Sequence, residues 1–111
     1  MRGVGKGDKV IEAPVIHNYP LDPISPHAAK NNIVLLIDFN QQYVPMLKYA
    51  SGVIFMSHKE NSEEEENFLK AMEKLNIPFI YRARGDVHGI QQGLFVTLDP
   101  INGVILAKKN V

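Results

Sequence analysis

Apolar residues along this chain fall into short blocks with contrasting spacing. Ile33-Val-Leu-Leu-Ile37 is a continuous apolar run that stops at Asp38. Unbroken apolarity predicts a strand covered on both faces. Val53-Ile-Phe-Met56 and Phe79-Ile-Tyr81 read the same way. Between them the period changes. Phe68, Met72 and Leu75 stand at i, i+4 and i+7, with Leu69 and Ala71 beside them, which is the apolar stripe of a helix. Ser62 is suited to its N-cap, Glu65 gives the capping-box spacing, and Glu63 to Glu66 match the positive end of the helix dipole. Asn76 and Pro78 end it.

The remaining segments are placed by their breakers. Tyr43-Val-Pro-Met-Leu-Lys-Tyr-Ala50 predicts a short helix with Pro45 in its first turn, closed by Ser51-Gly52. Lys9 to Ile16 predicts an edge strand, because Pro14 lacks the N–H that a central ladder needs. Residues 17–32 carry three prolines and read as a restricted loop, and residues 85–93 as a link with room for one helical turn. Leu94-Phe-Val-Thr-Leu-Asp99 alternates. Asp99-Pro-Ile-Asn-Gly103 has the residues of a tight hairpin turn, and Val104-Ile-Leu-Ala107 is the return strand. Residues 1–8 read as a Gly-rich flexible N-terminus ahead of one domain, 9–111. The order of strands and helices predicts an α/β fold with right-handed crossovers and parallel middle strands.

Composition narrows the function classes. The chain has 111 residues, and 12 Lys and Arg balance 12 Asp and Glu. That balance gives no support for a surface that tracks nucleic acid. No apolar run approaches the roughly 20 residues of a membrane span. The first residues lack the apolar core of a signal peptide, so the expected location is cytoplasmic. Cysteine is absent, which removes disulfides, thiolate metal sites and thiol nucleophiles together.

From Tyr43 onward the wording resembles the swivelling, mobile phosphohistidine domain of phosphoenolpyruvate-utilising enzymes. Val44-Pro-Met-Leu-Lys-Tyr-Ala-Ser51, Leu75-Asn-Ile-Pro78 and Gly93-Leu-Phe-Val-Thr-Leu-Asp99 with Gly103-Val-Ile105 carry the resemblance, in order and with similar spacing. It implies a swivelling β/β/α domain: a partly parallel central sheet flanked by helices, with a C-terminal β-hairpin. It also implies a phosphoryl group carried on a histidine at a helix start, handed on by a nucleotide-binding or phosphoenolpyruvate-binding partner protein. Two placements of that histidine are open. Counting forward from Ala50 puts Glu63 there, at the start of the glutamate-rich helix. Matching Met56-Ser-His58 to the family's triplet puts His58 there instead. The first placement is preferred, because it needs only a four-residue lengthening of the helix where the second needs a longer insertion. The physics agrees, since four carboxylates repel a phosphoryl group and no Gly-Gly approach loop is present.

The expected function is therefore a stand-alone, non-catalytic interaction or regulatory module. The alternatives are a phosphocarrier using His58 and a small-anion-binding domain. The anion-binding candidates are Arg82 and Arg84, after one buried strand, with Asp38 after another. His17, His27 and His88 lack metal-ligand spacing, and Glu63 with Glu66 reads as a solvated helix start rather than a metal site. Neither a metal nor a cofactor is expected. Gly3-x-Gly5-x-Gly7 precedes the first strand instead of following one, so it is not a nucleotide loop.

Overall fold

A computed structural model describes residues 1–57, 59–85 and 90–107. Seven strands form: β1 (Arg2–Lys6), β2 (Ile11–Asn18), β3 (Ile33–Leu36), β4 (Gly52–Phe55), β5 (Phe79–Arg84), β6 (Phe95–Asp99) and β7 (Val104–Ala107). They close into one barrel in the order β1-β5-β4-β3-β2-β6-β7. Strands β2, β3, β4 and β5 run parallel to one another, and the remaining pairings are antiparallel. Among the described residues there are three α-helices: α1 (Pro26–Ala29), α2 (Val44–Leu47), entered through a 3₁₀ turn at Gln41–Tyr43, and α3 (Glu63–Leu75).

Alternation along each strand sorts the core into two clusters. Inside the barrel lie Val15, Ile33, Leu35, Ile54, Ile80, Val96, Leu98 and Ile105. Outward-facing Val34, Leu36, Val53, Phe55 and Phe79 are covered by the helices. The continuous apolar runs are thus buried on both faces, as their pattern requires, with Ile37 at the end of its run left exposed. Phe68 of α3 anchors the outer layer, with ring centroids 4.5 Å from Phe55, 5.4 Å from Phe79 and 5.5 Å from Phe39. Ser62 caps α3 by accepting from the Glu65 N–H at 3.1 Å, and Asn76 ends it in the left-handed region.

The expected α/β swivelling domain is not what these strands build. The sheet has no open edge, because the N-terminal segment joins it. Within residues 1–8, read as a flexible lead, Arg2–Lys6 forms β1 and spans the gap between β5 and β7. Ile105 N–H donates to the Met1 carbonyl at 2.9 Å and Gly3 N–H to the Gly103 carbonyl at 2.9 Å. Nor is β2 an edge strand. Its first half pairs with β6 and its second half with β3. Val15 N–H points to β6, where it donates to Leu94. Pro14 therefore faces the β3 side one residue before that ladder begins, and its missing N–H leaves no gap. In the 17–32 loop, Ser25 and Pro26 start one helical turn. Among the described residues no helix is long and apolar enough to cross a membrane.

Candidate functional site

The carboxyl ends of the four parallel strands gather a set of interacting polar side chains at one end of the barrel. At the β4–β5 side, Glu65 sits in the first turn of α3 on the same stripe as Phe68 and is 2 % exposed. Arg82 grips it with two bonds: Nε donates to Oε2 at 2.9 Å and Nη2 to Oε1 at 2.7 Å. Ser57 Oγ, also buried, donates to the same carboxylate at 3.2 Å, and Asn61 N–H at 3.0 Å. The guanidinium beside it, with these further donors, holds the Glu65 carboxyl below the usual carboxylate range despite its burial. The same pairing raises the already high pKa of Arg82.

Arg82 reaches Glu65 through an irregular backbone. It stands at φ +53°, a conformation rarely adopted by long side chains. The β1–β5 register shifts here: Arg2 faces Arg84 and Val4 faces Tyr81, so Arg82 and Ala83 together oppose Gly3. This is a β-bulge, which re-aims a side chain. Gly3 fits because a Cβ there would lie 2.5 Å from the Tyr81 carbonyl oxygen. Beyond the pair, Glu60 lies 3.9 Å from Arg82 Nη1 and 3.4 Å from Arg84 Nη2. A shallow hollow of about 270 Å³ opens beside Met56, Ser57, Ala83 and Arg84.

At the β2–β3 side, the Tyr43 hydroxyl donates to both Asp38 oxygens, at 3.0 and 3.1 Å. Burial first, and Asp38 second, raise the Tyr43 pKa. Asn18, 1 % exposed, accepts from Ile24 N–H at 2.9 Å and so fixes the loop after β2. Its Nδ2 is near enough to the Tyr43 hydroxyl to favour the ionised form, yet lacks hydrogen-bond geometry and is left as a buried donor without a partner. Glu64 joins the two halves by accepting from Phe39 N–H at 3.3 Å. At the mouth, His17 Nε2 lies 2.7 Å from the Ile90 carbonyl and must carry the proton to bond it. The other ring nitrogen then accepts from the Tyr19 hydroxyl at 3.0 Å.

Of the candidates read from sequence, Arg82 and Arg84 meet at Glu60, whereas Asp38 belongs to the Tyr43 group. Both guanidinium groups face carboxylates of the chain itself. Glu63, the preferred counterpart of the family's histidine, is exposed in the first turn of α3. His58 and His88 lie outside the described residues. Among the described residues no three His, Cys, Asp or Glu are grouped to hold a metal ion. Sequence reasoning missed the role of Glu65 and of Tyr43. Glu65 had a legible signal, since it falls three residues before Phe68 and seven before Met72 on the buried stripe.

No protein-family model matches this chain, and no curated protein matches it. Among solved structures it is similar to a chain of Thermococcus kodakaraensis aconitase X in its holo form, with a TM-score of 0.68 and 16% identity over 97% of each chain. That likeness, at low identity, concerns the fold. It overturns the resemblance to the swivelling phosphohistidine domain. The closed seven-stranded barrel is the fold of the aconitase X chain, and the short motifs Leu75-Asn-Ile-Pro78 and Val96-Thr-Leu-Asp99 mark a helix end and a hairpin rather than that family.

Proposed function

We propose that this chain is a non-catalytic barrel module that docks on a larger chain and acts there as an interaction or regulatory element. One observation carries the reading. At the β4–β5 side of the carboxyl edge, where a ligand site is commonest in parallel sheets, the charged side chains are bonded to one another. Arg82 is held by Glu65, Ser57 donates to the same carboxylate, and Arg84 faces Glu60. Two guanidinium groups against two carboxylates leave no net charge to draw an anion, which weighs against a small-anion site. The likeness to a chain of aconitase X over 97% of each chain supports the barrel fold of such a module.

The test is the size of the native species. In extracts of its own cells the chain elutes in a complex several times its own 12.5 kDa, while the purified chain elutes alone. A chain that elutes at its own mass from native extract sinks the reading. The rival, a phosphoryl group carried on His58, is checked by incubating extract-purified protein with phosphoenolpyruvate or ATP. An acid-labile, base-resistant phosphate on this chain favours the carrier over the module.

A further inference from the structure

We infer that the docking face is the carboxyl edge of the parallel strands, and that the partner surface it receives is apolar at its centre and basic around it. The inference rests on the module reading above and adds the face and the chemistry of the partner. Three large apolar side chains are left in solvent at this edge. Leu21 is 100% exposed, Tyr19 52% and Ile37 37%. They are neighbours by construction. Asn18 pairs with Leu36, so Tyr19 and Ile37 leave the barrel side by side. The turn closed by Asp22 N–H onto the Tyr19 carbonyl at 3.1 Å carries Leu21 at the same edge, two residues beyond Tyr19. The patch is held in place rather than left loose. Tyr19 is bonded to His17, and Asn18 ties down the loop that carries Leu21. Isolated exposed apolar residues need no explanation, but a fixed group with a polar border marks an interaction site.

The border is acidic. Asp22 adjoins Leu21, and Asp38 adjoins Ile37. Glu64 is bonded to the backbone two residues beyond Ile37, with Glu63 beside it. Among the described residues none of these four enters an ion pair, and Lys59 is the neighbouring cation not engaged in one. The opposite end of the barrel carries both signs, with Asp8, Glu73 and Asp99 among its lysines. Lys6 is paired with the start of β5, Lys9 and Lys30 precede β2 and β3, and Lys74 lies in the last turn of α3. A basic surface is therefore drawn to the acidic border at the Leu21 end. A second copy docking edge to edge would set like charges together.

The experiment places a photo-crosslinking benzoylphenylalanine at Leu21 or Ile37, and as controls at Lys9 or Lys74, in the full chain in its own cells. The crosslinked protein is identified, purified and titrated against the chain by calorimetry. The expected result is crosslinking from positions 21 and 37 alone, into a Lys- and Arg-rich segment of one larger protein. Leu21→Asp should weaken binding more than about tenfold without changing Tm. Raising NaCl from about 50 to about 300 mM should weaken it by a similar factor, because the charges lie at an exposed rim. Crosslinks from positions 9 and 74 instead, a salt-independent affinity, or crosslinks to a second copy of this chain each overturn the assignment of the face and its partner. The first two leave the module reading standing. Crosslinking from none of the four positions removes both.

Discussion

Arg82 concentrates the physics of the candidate site in one residue. Its backbone is left-handed, its strand is bulged, and its guanidinium is spent on Glu65. Strain of this kind persists where the surroundings over-determine it. If so, removing the side chain should reveal it. Glycine ordinarily weakens a strand relative to alanine, but at this positive φ glycine carries no Cβ penalty and alanine does. Arg82→Gly is therefore expected to melt higher than Arg82→Ala by roughly 4 °C, with both below wild type because Glu65 loses its partner. The reverse order in a thermal melt removes the claim of strain. The carboxylate makes a second prediction. Folding favours its ionised form, so its contribution is complete above the ordinary value of 4.5 and is lost as pH falls through the lower folded value. Urea midpoints should drop from pH 5 to pH 2.5 in wild type and drop less in Glu65→Gln. Parallel curves for the two proteins rule this out.

At the scale of elements, α3 is the part the sequence described best. Its stripe, its Ser62 cap and its Asn76 stop all form, since each is a local signal that tertiary contacts reinforce. What the local pattern did not convey is that the stripe extends one turn further, through Glu65. Charge suggested solvent, and the partner that permits burial is 17 residues away in β5. Asp38 and Tyr43 were likewise legible as a strand end and a helix start, but not as a bonded pair. The helix is held by aromatic packing more than by its cap. Phe68 is enclosed by three rings, two on strands and one on the loop after β3, so Phe68→Ala leaves a cavity that rigid strands cannot fill. The expected cost is about 3–5 kcal/mol, measured by denaturant unfolding. A loss under about 1 kcal/mol would mean the outer layer relaxes and α3 is only loosely seated.

At the scale of the whole molecule, closure is what the sequence concealed. The strands β3, β4 and β5 announce themselves by apolarity, whereas β1 is Arg-Gly-Val-Gly-Lys and reads as a tail. Its glycines are the reason it can close the barrel. Gly5 lies against the backbone of Pro100 at the β6–β7 turn, where a Cβ would collide with the Pro100 carbonyl. The turn is itself rigid, with Asp99 accepting from Ile101 N–H and Asn102 N–H at 3.1 Å each and from the Asn102 amide at 2.8 Å. It cannot retreat from a larger residue. Gly5→Val should therefore expel β1 and leave Ile80 and Ile105 without their cover. The expected protein retains helical signal, binds a hydrophobic dye and unfolds at lower denaturant with reduced cooperativity. A chain lacking residues 1–6 should behave the same way, because both changes remove the same strand. Gly5→Val within about 0.5 kcal/mol of wild type, with no dye binding, would show that the barrel is closed by something other than β1.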